Sequence, residues 1–157
     1  MTQQFEERRN FLKSAAVLGA ATLLTGIGVA PASPAAEASA GSEPFTAARL
    51  AALRAEGRPV FVNMTAAWCV TCLVNERVAL STPEVKTAFQ TQGITYLKGD
   101  WTREDPKITA VLKAHGRSGV PLYLYYAPGA AEPQVLPQLL TPGLVIEAVS
   151  SNPAPRS

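Results

Sequence analysis

The chain contains only two cysteines, Cys69 and Cys72, three residues apart in the run Trp68-Cys69-Val70-Thr71-Cys72. A bridge between them closes almost no loop, so it would do little to constrain the unfolded chain in the way structural disulfides do. The spacing therefore points to chemistry at sulfur. Disulfide exchange proceeds by thiolate attack, and a thiol of ordinary pKa, about 8.5, must be brought down to supply a thiolate near neutral pH. The unpaired N–H groups and positive dipole end of a helix N-terminus do this. Cys69 lies between a strand-like run and a helix-like one, which places its sulfur at such an end, and Cys72 lies one turn further in. The roles follow: Cys69 attacks and Cys72 resolves. The same C-x-x-C spacing also serves zinc and copper sites. A tetrahedral zinc site needs further ligands, and only His115 and carboxylates remain to provide them. Exchange chemistry with no bound metal is the leading reading, and a copper or zinc carrier using both thiolates is the alternative from another class.

Glu76 stands seven residues after Cys69 and four after Cys72, so on a helix all three share a face. A carboxylate there can accept or relay the proton of a resolving thiol. The plainer reading is a solvated helix charge paired with Arg77 or Arg49. His115 reads as a helix C-terminal residue rather than a catalyst. Trp101, Tyr123, Tyr125 and Tyr126 read as core and strand packing.

These residues need a scaffold, and the pattern supplies one. Phe45 to Glu56 reads as a helix with Leu50 and Leu53 on one side and Gly57 as its stop. Pro59 to Thr65 is a short, nearly continuous apolar run, as in a strand buried on both faces. Cys72 to Leu80 reads as a helix, and Pro83 to about Gln90 as another with Thr82 as its cap. Ile94 to Lys98 is a second strand. Asp105-Pro106 opens a helix that Gly116 closes, carrying Ile108, Val111 and Leu112 at helical spacing. Val120 to Tyr126 is a third strand, Pro133 to Leu136 a weak fourth, and Thr141-Pro142-Gly143 starts a final helix through Val149. Alternation of early strands with helices implies parallel pairing, and the short turn at Ala127-Pro128-Gly129 implies a hairpin. The expected class is α/β, a central mixed sheet of about four strands with helices on both faces.

The first forty residues read as an address. Arg8-Arg9-Asn10-Phe11-Leu12-Lys13 precedes an uncharged stretch from Ser14 to Ala30, and small residues then offer cleavage after Ala32 or Ala40. The double arginine followed by Phe-Leu-Lys resembles a twin-arginine export signal, which implies a periplasmic protein. An uncleaved signal would tether it to the membrane, although a stretch containing Gly19, Gly26 and Gly28 is poorly suited to spanning a bilayer. Residues 1–40 are thus expected to be signal and flexible leader, 41–150 the folded domain, and 151–157 a frayed tail. A hydrophobic content of 47% with 17% charged residues is enough to build a packed core. The net charge of +2 is too mild to argue for nucleic acid.

The run Val60-Phe61-Val62-Asn63-Met64-Thr65-Ala66-Ala67-Trp68-Cys69-Val70-Thr71-Cys72-Leu73-Val74-Asn75-Glu76 resembles the C-terminal periplasmic domain of the DsbD-type thiol:disulfide interchange proteins. The likeness continues through Leu97-Lys98-Gly99-Asp100-Trp101-Thr102, Asp105-Pro106 and Gly116-Arg117-Ser118-Gly119-Val120-Pro121-Leu122-Tyr123, and covers about Phe45 to Val149. It implies a thioredoxin-like fold and a reductive relay, with electrons received from a membrane donor of the DsbD transmembrane type. They would pass to exported proteins or thioredoxin-like disulfide substrates, with cytochrome c maturation among the processes such a relay serves. It also implies a cis peptide before Pro121, opposite the cysteines, with the backbone at Val120 pairing with an extended substrate and Trp68 at the rim. The redox-active disulfide is then the only redox group, and a monomer is expected. The sequence departs from the family at two places. Ala67 stands where many members carry an acid, and Asn63 stands where thioredoxins carry a buried Asp. An amide does not titrate, which leaves Glu76 to tune the pair. An oxidase or isomerase remains open, because pairs of this fold span about −270 to −120 mV.

Overall fold

The computed structural model describes residues 41–151. The export signal, its cleavage sites and residues 152–157 of the tail lie outside the described residues. The order is β1 (Glu43–Pro44), α1 (Ala47–Ala55), β2 (Val60–Thr65), α2 (Val70–Asn75), a π-helical segment (Glu76–Leu80), α3 (Pro83–Thr91), β3 (Thr95–Asp100), α4 (Pro106–Ala114), β4 (Leu122–Tyr126), β5 (Gln134–Leu136) and α5 (Pro142–Ser150). The sheet runs β1-β3-β2-β4-β5, with β3 parallel to both β1 and β2, and β4 antiparallel to both β2 and β5.

Five strands rather than about four make the sheet. The addition is Glu43–Pro44, which lies just inside the expected folded domain but ahead of the first element read from the sequence. The pair is held by its parallel register with Leu97 and Lys98 and by the following N–H of Phe45, which donates to Lys98 O at 2.8 Å. An edge strand tolerates Pro because one side of it needs no ladder.

Every residue of β2 is buried, because alternate side chains enter two different cores. Val60, Val62 and Met64 pack with Leu53 of α1 and with Ile108 and Leu112 of α4. On the other face, Phe61 packs with Val85 and Phe89 of α3 and with Val145 and Val149 of α5. Three helices start where Pro supplies a preset φ at the first turn, at Pro83, Pro106 and Pro142. Asp105 and Thr141 cap theirs through the side chain. Thr82 does not cap α3: its hydroxyl donates to Ala79 O at 2.9 Å, which leaves that helix without a side-chain cap.

Candidate active site

The local order at the cysteines is strand, short turn, helix. Chain leaving β2 turns at Ala66, with the Cys69 N–H donating to Ala66 O at 3.0 Å, and α2 begins at Val70. Cys69 is its N-cap in extended conformation, and the N–H of Cys72 donates to Cys69 Sγ at 3.2 Å. A sulfur in that position accepts one of the orphan donors of the first turn, which stabilises it most when it is charged. The two cysteines are joined as a disulfide. Cys69 keeps 7% of its surface exposed, whereas Cys72 is fully buried. Cys69 is the less enclosed of the two.

Two of the surrounding features come from the chain following β3. The N–H of Ala67 donates to Thr102 Oγ1 at 2.9 Å, and Trp68 Nε1 donates to Thr102 O at 3.2 Å. Thr102 is itself held by Asp100, whose carboxylate accepts from its backbone N–H at 2.8 Å and from its hydroxyl. These bonds, the hydroxyl's first, lower the Asp100 pKa from its ordinary value. Trp68 is 55% exposed and tilts against Trp101, with ring centroids 6.0 Å apart. On the other side of the pair, the Val120–Pro121 peptide is cis, and Val120 packs against the cluster of Ala66, Cys69 and Cys72.

Beneath α2 lies a row of polar side chains set by strand register. Asn63 of β2 is level with Lys98 of β3 and Tyr123 of β4. Two consecutive residues where α2 passes into the π-helical segment reach down to this row. Glu76 accepts from Lys98 Nζ at 2.8 Å and from Asn63 Nδ2 at 3.3 Å. Asn75 Nδ2 donates to Tyr123 Oη at 3.0 Å and to Gln138 O at 2.6 Å, and its Oδ1 accepts from Leu140 N at 3.2 Å. Asn63 Nδ2 also donates to Tyr96 Oη at 2.9 Å. Burial together with the nearby Glu76 charge raises the Tyr96 phenol well above its usual range, only partly offset by the Asn63 bond.

The partner of Glu76 is therefore Lys98. Neither Arg77 nor Arg49 fills that role; Arg49 pairs instead with Glu43 at 2.8 Å. The helix expected from Cys72 to Leu80 is also not uniform. It starts at Val70 and widens to π geometry at Glu76. Lys98, Tyr96, Asn75 and Thr102 escape sequence reasoning, because their partners come from other elements through strand register. His115 is the C-cap residue of α4, with its ring Nδ1 2.9 Å from Val111 O. Among the described residues no three or more His, Cys, Asp or Glu side chains gather as a metal-binding group.

Comparison with known proteins agrees with this geometry. The thiol:disulfide interchange protein DsbD 1 of Pseudomonas aeruginosa is 34% identical over 85 residues, which is 54% of this chain and 14% of that protein. DsbD of Escherichia coli K12 is 32% identical over 85 residues, 54% of this chain and 15% of that protein. The match thus spans about one seventh of these relatives. Among solved structures, the reduced C-terminal domain of Neisseria meningitidis DsbD superposes with a TM-score of 0.56 at 26% identity, covering 69% of this chain and 96% of that one. Its oxidised form gives 0.55 at 27% identity, covering 71% and 98%. Residues 7–25 match the twin-arginine translocation pathway signal sequence, so the chain carries an export signal. No helix among the described residues is long and apolar enough to cross a membrane. Residues 43–128 match the thioredoxin-like family, and the chain belongs to it, with a disulfide oxidoreductase site related to that of the DsbD C-terminal domain.

Proposed function

We propose that the chain is a periplasmic protein-disulfide reductase that relays electrons through the Cys69–Cys72 pair, with no other redox group. The observation that carries the reading is the asymmetry of the two sulfurs. Cys69 Sγ sits at a helix N-terminus and accepts a backbone N–H, and its residue keeps a little exposed surface, while Cys72 keeps none. In the reduced protein the Cys69 thiolate attacks a substrate disulfide. A Cys69–substrate S–S bond forms as the substrate's own S–S bond breaks, and the departing substrate sulfur takes a proton. Cys72 then loses its proton and attacks Cys69 Sγ. The mixed disulfide breaks, the second substrate thiol leaves, and the Cys69–Cys72 bond forms. The substrate gains two electrons and two protons: both electrons and the Cys72 proton come from the protein, and the other proton comes from solvent, to which Cys69 lost it on ionising. A membrane dithiol donor of the DsbD transmembrane kind returns them.

Glu76 is the proposed acceptor for the Cys72 proton, being one turn beyond it on the same helix. Val120 and Pro121 are the proposed backbone ledge for an extended substrate. Trp68, with the exposed Val70, Leu73 and Val74, gives the site an apolar rim suited to a protein partner. Exported proteins or thioredoxin-like disulfide domains are the substrates proposed for such a rim, with the chain acting as a monomer.

Equilibration in redox buffers with thiol trapping tests this directly. The reading expects a potential clearly below about −180 mV, the value typical of an isomerase. A value near about −120 mV would turn the assignment to disulfide donation. A pair that never forms a disulfide would favour a metal carrier instead.

A further inference from the structure

Asn63 is fully buried, and its Oδ1 accepts no hydrogen bond among the described residues. The orientation of the amide is fixed by its neighbours. Nδ2 faces Glu76, and a carboxylate in an ion pair offers only acceptors, so the nitrogen must point there and the oxygen away. A buried acceptor left without a donor is uncommon and calls for a reason.

The position of Asn63 supplies one. Glu76, its partner, lies one turn after Cys72 on the same side of the helix, and Ala66, three residues further along the chain, packs against Cys72. Asn63 is thus linked through Glu76 to the turn of helix that begins at Cys72, and Ala66 meets that turn from the end of the strand. In the disulfide neither sulfur carries a hydrogen, so nothing at the pair can donate to Oδ1. Reduction breaks the Cys69–Cys72 bond and adds two electrons, leaving Cys69 as the thiolate and one proton on Cys72. That proton makes a new, fully buried donor, the Cys72 thiol.

We infer that Asn63 Oδ1 is the acceptor for the Cys72 thiol, so that this amide is unsatisfied in the disulfide state, satisfied in the dithiol state, and biases the pair toward the dithiol. The inference rests on the proposed cycling of the pair and adds a tuning residue that does not titrate. An amide can hold the thiol proton without removing it, next to the Glu76 carboxylate that is proposed to receive it.

The test separates this role from a purely structural one. The Asn63 bond to Tyr96 does not involve the cysteines, and comparing Asn63→Leu with its parent in a Glu76→Gln background removes the titration of Glu76, so neither loss enters the difference in reduction potential. The thiol bond exists in one state only and does not cancel. Asn63→Leu, which removes the amide and keeps an apolar side chain of similar size, should shift the dithiol/disulfide equilibrium toward the disulfide by roughly three- to tenfold. At 29.6 mV per tenfold for two electrons, that is a potential lower by roughly 14–30 mV. An unchanged or higher potential overturns the inference. Because Asn63→Leu could fail to fold, a second measurement uses Cys69→Ala, whose only thiol is Cys72. Its infrared S–H stretch should lie below that of a free thiol, and a band at the free-thiol frequency overturns the inference. Failure of the pair to cycle at all would abolish a measurable potential while leaving this band readable, so failure of the functional reading is told apart from failure of the inference.

Discussion

Asn75 ties the helix that carries both cysteines to the rest of the fold, and removing its amide is expected to destabilise the protein without touching its redox balance. Asn75 is buried and makes three hydrogen bonds, two donated to Tyr123 Oη and Gln138 O and one accepted from Leu140 N. At about 1 kcal/mol net for each, Asn75→Ala forfeits about 3 kcal/mol. Ala is the better helix former by about 0.6 kcal/mol, which offsets part of that. The expected loss is about 2.4 kcal/mol. For a domain of this size it corresponds to a fall in Tm of about 10–15 °C. Urea and thermal melts of the oxidised and the reduced protein should show the same loss, because none of the three partners is a cysteine. A loss under about 1 kcal/mol, or one confined to a single redox state, would refute the reasoning. The first outcome would show that water replaces the bonds, and the second that Asn75 senses the disulfide.

Thr102→Val removes the hydroxyl that donates to Asp100 and accepts from Ala67 N, while keeping the shape. Asp100 has a folded pKa below its unfolded value of about 3.9, so its contribution is fully present above that pH and is lost as pH falls through the folded pKa. Urea melts across pH should therefore show a wild-type advantage over Thr102→Val that is steady above about pH 5 and shrinks below about pH 4; an advantage that grows on acidification would contradict the assignment. Gly99→Ala should cost about 1–3 kcal/mol, because a Cβ there would collide with the sulfur of the fully buried Met64. Denaturant melts check it, and a neutral result would mean that Met64 has room to move aside.

Much of the site is legible without the fold, for physical reasons particular to a few residues. A pair of cysteines three apart directly after a buried strand can hardly lie anywhere but at the start of the next helix, and Cys69 is the N-cap of α2. Pro83, Pro106 and Pro142 announce helix starts because a fixed φ and a missing N–H suit the first turn. The continuous apolar run of β2 is visible because both faces of that strand are covered. What could not be read depends on register between distant strands. Nothing local to Lys98 says that it is level with Asn63 and meets Glu76. A two-residue strand at Glu43–Pro44 has no periodicity to detect. The π-helical turn at Glu76 is likewise invisible to a helical wheel drawn at 3.6 residues per turn, which is why the pattern from Cys72 to Leu80 reads as one uniform helix.

The central claim is that Cys69 is the attacking thiolate and Cys72 the sheltered partner. It is tested most directly by alkylating the reduced protein over a range of pH and locating the label by mass spectrometry. The account predicts that Cys69 is labelled first, with a rate midpoint below the ordinary thiol value of about 8.5, and that Cys72 stays unlabelled until the protein unfolds. Labelling of Cys72 first, or equal labelling of the two with an ordinary midpoint, would contradict it.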